Sequence, residues 1–262
     1  MRLYFADLPK TALGAAYWLF AVYLLLPLAL MTAMSFKDAS FVAFPITDWT
    51  LNWYAQVLND KQFIEASLYS IGIALATTAA ATVIGVWIAL LVSTEAIWGK
   101  AFIFALACLP AVVPGLINAI SMRIFIRTVD IPTGTAAITC RMQSIGALRG
   151  DMVLTRLRSM PANLVDAARD LGADRFVAFL RVTIPYLMPA LLGGMIFCVL
   201  TSIDDFVRTF FLGGYKPTLP MLIFAKVQGG MSPEINAMAT IVLVVTAAVG
   251  VYAEHLTRRS RN

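Results

Sequence analysis

The stretch Asp166-Ala167-Ala168-Arg169-Asp170-Leu171-Gly172, running on to Val182-Thr183-Ile184-Pro185, decides how this chain is read. Leu164, Ala167, Ala168 and Leu171 recur at i, i+3, i+4 and i+7, so the spacing predicts a short helix with one apolar stripe. Pro161 suits the first turn of that helix, where a missing N–H does no harm. Gly172 fits the left-handed residue that closes a helix. Asp174 can cap a second helix carrying Phe176, Val177, Phe179 and Leu180, and Pro185 marks the start of the next apolar segment. Such an amphipathic helix has two uses. Its stripe can lie in a partner's groove, with the paired alanines letting another backbone come close, or it can lie on lipid. These residues alone leave both open.

Outward from this loop, the chain is apolar. It has 262 residues, 60% hydrophobic and only 13% charged, against roughly 25% charged in soluble domains. Thr11–Met34, Ala66–Ser93, Ala101–Met122, Val182–Ile203 and Ile235–Ala253 each lack a charged side chain. Each reaches the roughly 20 residues that a helix needs to cross hydrocarbon. Backbone groups in lipid must pair internally, so these segments are expected to be helices. Nine of the twenty basic residues lie between Arg123 and Arg181, with three more at Arg258, Arg259 and Arg261. Positive charge flanking spans marks the cytoplasmic side, which places residues 156–181 and the C-terminus there. The net charge of +5 is thereby accounted for without nucleic acid.

An even number of spans requires a further helix near Ile131–Leu148, yet that stretch carries Arg141 in its middle. A lone Arg at bilayer depth costs about 2.5–3.5 kcal/mol on insertion scales. Either Arg141 faces a water-filled interior or the segment is locally aberrant. Six spans with both termini in the cytoplasm are expected, forming one membrane domain over residues 1–262. Ser35–Glu65 is then external and rich in interfacial aromatics, and Thr94–Lys100 is a tight cytoplasmic turn. The apolar run Leu219–Ala225 is too short to span, and a surface or re-entrant helix is expected.

Chemistry is sparse. Cys108, Cys140 and Cys198 have no metal-ligand spacing, and the single histidine, His255, lies in the basic tail. No G-x-x-x-x-G-K-[ST] phosphate loop is present, so this chain is not expected to bind ATP. Asp204 and Asp205 end the fifth apolar run. Adjacent carboxylates at the edge of hydrocarbon are costly; they can attract a cation or simply mark the water boundary.

The loop resembles the EAA signature of ABC-importer permeases, with Asp-Ala-Ala, three residues, Gly, nine residues, then Val-x-Ile-Pro. Ser202-Ile203-Asp204-Asp205-Phe206, Leu219-Pro220 and Ser232–Thr240 resemble, more narrowly, the spermidine/putrescine importer permeases. The resemblance implies an all-α polytopic bundle of the type I importer permease fold, in the bacterial inner membrane. It implies that Asp166, Ala167, Ala168, Leu171 and Gly172, within a cytoplasmic segment of about residues 156–182, couple the chain to an ATPase. It further implies a second permease subunit, two ATPase subunits that hold ATP and magnesium, and an extracytoplasmic binding protein. Asp204 and Asp205 would then meet a polycation. An ion-coupled carrier or channel is the competing class, and it predicts inverted repeats or ionisable groups along several spans.

Overall fold

The structure, a computed structural model, describes residues 10–39, 46, 48–93, 98–130, 133–161, 163–212 and 216–259. Residues 94–97 of the expected cytoplasmic turn, and part of Ser35–Glu65, lie outside them. Among the described residues the chain is helical, with a single isolated bridge between Lys37 and Trp49. Two compact units are distinguished, Met1–Asp60 with Ile223–Val244, and Lys61–Leu222 with Val245–Asn262.

In the first unit, α1 (Lys10–Met34) is the first expected span. A short helix, α2 (Asn52–Asn59), lies in the aromatic connection, where Trp53 Nε1 donates to the Lys37 carbonyl at 2.9 Å. Most of α11 (Leu219–Gln228) belongs here, and it forms the expected short helix over Leu219–Ala225. The start of α12 (Pro233–Arg259) also belongs to this unit. Lys226 Nζ on α11 lies 2.6 Å from Glu234 Oε1 and 3.2 Å from Asp60 Oδ2.

The second unit is built on α3 (Lys61–Ser93), α6 (Thr133–Arg158) and α9 (Ile184–Ile203), which pack on one another. Ala89 and Val92 of α3 meet Val153 and Leu154 of α6 and Leu187 and Leu191 of α9. Further along, Ala81, Ile145 and Cys198 continue the same three-helix core. At 33 residues α3 exceeds its charge-free run, because Lys61–Glu65 extend it with residues that tolerate water.

The third expected span is broken. It comprises α4 (Lys100–Val112) and α5 (Gly115–Val129), bent by 104°. Proline disfavours helical backbone in the residue before it, and Val113 and Pro114 both adopt extended ψ values of 132° and 134°. Pro114 has no N–H for the Pro110 carbonyl; the Asn118 side-chain amide donates to that carbonyl instead, at 3.2 Å.

Pro185 acts differently from expectation. It does not begin the fifth span, because the helix is continuous from α8 (Arg175–Ala178) through a π turn at Phe179–Thr183 into α9. The missing N–H of Pro185 cannot serve the carbonyl four residues back. The π turn absorbs the mismatch, and the Ile184 N–H reaches the Phe179 carbonyl five residues back.

The Ile131–Leu148 question has a clear local answer from residue 133 onward. At 26 residues, α6 is long enough to cross a membrane, about 39 Å at 1.5 Å per residue. Its polarity sets it apart from the four helices that are long and apolar, and from the bent α4–α5 pair. Arg141 and Arg149 are 1% and 0% exposed, so both lie inside the protein and away from lipid.

Candidate functional site

The short helix forms as its spacing predicts, as α7 (Asn163–Asp170). Its closure is a Schellman arrangement. Gly172 takes φ +90°, its N–H reaches the Arg169 carbonyl at 2.9 Å, and the Ala173 N–H reaches the Ala168 carbonyl at 3.0 Å. The Asp174 carboxylate then caps α8 by accepting from the Val177 N–H at 2.7 Å. Pro161 stands just ahead of α7, where its carbonyl accepts from the Leu164 N–H at 3.2 Å.

No residue of α7 is buried. Leu164 is exposed, Leu171 is 89% exposed and Phe176 is 68% exposed. The apolar stripe is therefore a projecting face, not a packed one. Asp166, Asp170 and Asp174 surround it with negative charge, and Arg169 and Arg175 with positive charge. Phe176 joins Leu171 as a large apolar group beside the turn. Its place two residues past the Asp174 cap is the sequence signal that points to it.

Asp204 and Asp205 have unlike environments. Asp204 is exposed at the end of α9. Asp205 side-chain exposure is 8%, and it caps α10 (Phe206–Leu212) by accepting from the Arg208 N–H at 3.2 Å. Arg208 Nη1 lies 2.8 Å from Asp205 Oδ2, and Arg141 Nε lies 3.6 Å from the same oxygen. Arg141 also donates to the Ser202 carbonyl at 2.8 Å, the Asp205 carbonyl at 2.7 Å and the Thr209 hydroxyl. A buried cation is tolerable only when paired and hydrogen-bonded, and these contacts supply both. Asp205 thus already serves two arginines.

Among the described residues, Arg149 is held by neutral oxygens and not by a carboxylate. Its guanidinium donates to the Leu191 carbonyl at 2.8 Å and to Thr82 Oγ1 at 2.8 Å. Gly85 and Gly194 make room for it. Neither arginine was expected to carry a structural role; an intramembrane Arg reads from sequence as an obstacle, because its partners lie on other helices some 40 to 70 residues away. Among the described residues no group of His, Cys, Asp and Glu could hold a metal.

Residues 81–262 match the sequence model of the family of binding-protein-dependent transport system inner membrane components. The spermidine/putrescine transport system permease protein PotC of Haemophilus influenzae is 27% identical over 247 residues, covering 92% of this chain and 94% of that protein. The putrescine transport system permease protein PotI of Escherichia coli K12 is 29% identical, covering 91% of this chain and 88% of that protein. Among solved structures, a chain of a bacterial ABC transporter involved in the import of the acidic polysaccharide alginate superposes with a TM-score of 0.76. Its identity is 15%, over 95% of this chain and 94% of that one. A chain of the MetNI methionine ABC transporter, in an inward-facing conformation, gives 0.63 at 16% identity, over 75% of this chain and 94% of that one.

Proposed function

Because the chain belongs to the family of binding-protein-dependent transport system inner membrane components, we propose that it is the permease subunit of an ATP-driven importer for polyamines. The whole chain serves as one membrane domain, as its near full-length match to PotC and PotI supports. It pairs with a second permease subunit, and two ATPase subunits hold the ATP and magnesium. An extracytoplasmic binding protein delivers the solute; a structural neighbour is a bacterial alginate ABC transporter in complex with a substrate-bound periplasmic protein. Both termini face the cytoplasm.

The observation that carries this reading is the exposed face of α7 and its turn. A helix of eight residues is marginal alone, yet this one is closed at its C-terminal end, and beside it the turn presents Leu171 and α8 presents Phe176 to solvent. Asp166, Ala167, Ala168, Leu171 and Gly172 form the coupling element. Leu171 is the anchor and Gly172 sets the turn behind it. Fully burying an exposed Leu or Phe side chain in a partner's pocket is worth about 1.5–3 kcal/mol.

Motion of the ATPase pair reaches the bundle through α7, α8 and the π turn into α9, a continuous packed path. ATP must bind the outward-open state more tightly than the inward one, since equal affinity shifts nothing. The test is co-expression with polyamine-importer ATPase subunits, followed by putrescine and spermidine uptake into vesicles. ATPase should co-purify with the parent and not with Leu171→Asp, while both chains remain in the membrane. ATP-independent polyamine movement by the chain alone would overturn the reading.

A further inference from the structure

Within the second unit, α5 and α10 form a pair of their own. Ala119, Met122 and Ile126 of α5 bury against Leu212 of α10, with Phe211 beside them. The pair is joined to the α3–α6–α9 core at two breaks in the helical backbone. One is the Val113–Pro114 bend between α4 and α5. The other is the corner at Asp204–Asp205 between α9 and α10. Arg208 of α10 links the breaks, because its guanidinium lies beside Gly115 at the start of α5, 3.8 Å from where a Cβ would stand.

We propose that α5 and α10 turn as one unit against the core, and that the Arg141–Asp205 ion pair is the latch that holds them. The pair is built so that it can part. If α10 moves away, Asp205 keeps the Arg208 guanidinium and the Arg208 N–H, both on its own helix. Arg141 keeps the Ser202 carbonyl and hydroxyl of α9. The bonds that break are those from Arg141 to Asp205 and Thr209. Neither partner is stripped of every contact, yet the buried Arg141 cation gives up its contact with the Asp205 carboxylate, so the latched state is favoured. Hinges of this kind need only a few terminal residues to absorb the backbone change.

The experiment uses the full chain in native membranes, with Cys108, Cys140 and Cys198 replaced by Ala. Thr209→Cys, which removes the hydroxyl contact to Arg141 in the parent and in every variant alike and leaves the Asp205 ion pair as the part under test, reports the latched face of α10, and Ala119→Cys reports the interior of the α5–α10 pair. Both positions are buried. In the parent, a water-soluble maleimide should label both slowly. Asp205→Asn should raise labelling at position 209 by about tenfold, corresponding to an equal change in the closed-to-open ratio, and leave position 119 protected. Asp205→Glu should restore protection at 209. If Asp205→Asn is not recovered in membranes, Arg141→Lys, which keeps the charge and loses the planar fork, should give the same pattern. Unchanged labelling at 209 overturns the latch. Equal exposure of 119 and 209 also overturns it, because the pair would then be melting and not turning.

Discussion

Arg141 Nε on α6 stands 3.6 Å from Asp205 Oδ2 at the cap of α10, across 64 residues of sequence. This one relationship changes the meaning of both residues. The arginine that looked incompatible with a span is a buried tie between helices. Its partner is an N-cap with two cationic neighbours.

The two adjacent carboxylates should therefore respond differently to loss of charge. Asp204 is exposed, and a cation at about 4 Å from it gains roughly 1 kcal/mol in bulk water or about 4 kcal/mol at an intermediate dielectric. Asp204→Asn should lower polyamine uptake and leave thermal stability intact. Asp205→Asn should lower stability by about 3 kcal/mol, the lower end for breaking a buried pair, since Arg141 keeps other acceptors. Uptake and detergent melting curves measured side by side decide this. Equal effects of the two variants on uptake, without a difference in melting, would count against it.

Gly172 sits at φ +90° with open space around its Cα. A substitution there meets backbone strain, not a clash, of about 1–2 kcal/mol. Gly172→Val should leave membrane insertion intact and abolish ATP-driven uptake, because the turn that presents Leu171 is displaced. Uptake at the parental rate would refute this.

Gly85 tests the core. A Cβ there would lie 2.6 Å from Arg149 Cβ and 2.9 Å from the Gly150 nitrogen, which is backbone of α6 and cannot yield. Gly85→Ala should destabilise the chain by about 1–3 kcal/mol. Gly72→Ala, where nothing lies within 4 Å, should be near neutral. Melting temperatures of the two variants in detergent provide the comparison.

Lys226 offers a pH test. Burial lowers its pKa, but hydrogen bonds to Glu234 and Asp60 and their charges outweigh burial and raise it above the ordinary 10.5. A raised pKa in the folded state contributes stability below the unfolded value, and that contribution is lost as pH rises through the folded one. The melting temperature should fall as pH climbs above about 10.5. In Lys226→Met that part of the fall should be missing. An identical alkaline profile would remove the ion cluster as a stabilising element.

Reporters fused before α1 and after α12 should both read cytoplasm. An external N-terminus would mean that either α6 or the bent α4–α5 pair does not cross the membrane, and that the bundle has an odd number of spans.

The sequence by itself determined what local chemistry controls. Runs without charge gave the apolar helices, since lipid leaves no other way to pair the backbone. The i, i+3, i+4, i+7 stripe, Gly172 and Asp174 defined α7, its closing turn and the start of α8, because caps and closures act within a few residues. Tertiary structure alone decided the rest. The 104° bend at Val113–Pro114 is not required by a proline, since Pro110 and Pro189 sit inside helices. The π turn answers the missing N–H of Pro185 locally, yet whether a helix runs on through a proline, as here, or breaks, as at Pro114, is not read from the proline alone. Above all, the fate of Arg141 and Arg149 depended on acceptors and glycines on other helices. Whether a charge in a membrane helix is an error or a tie depends on partners that stand far away in the chain.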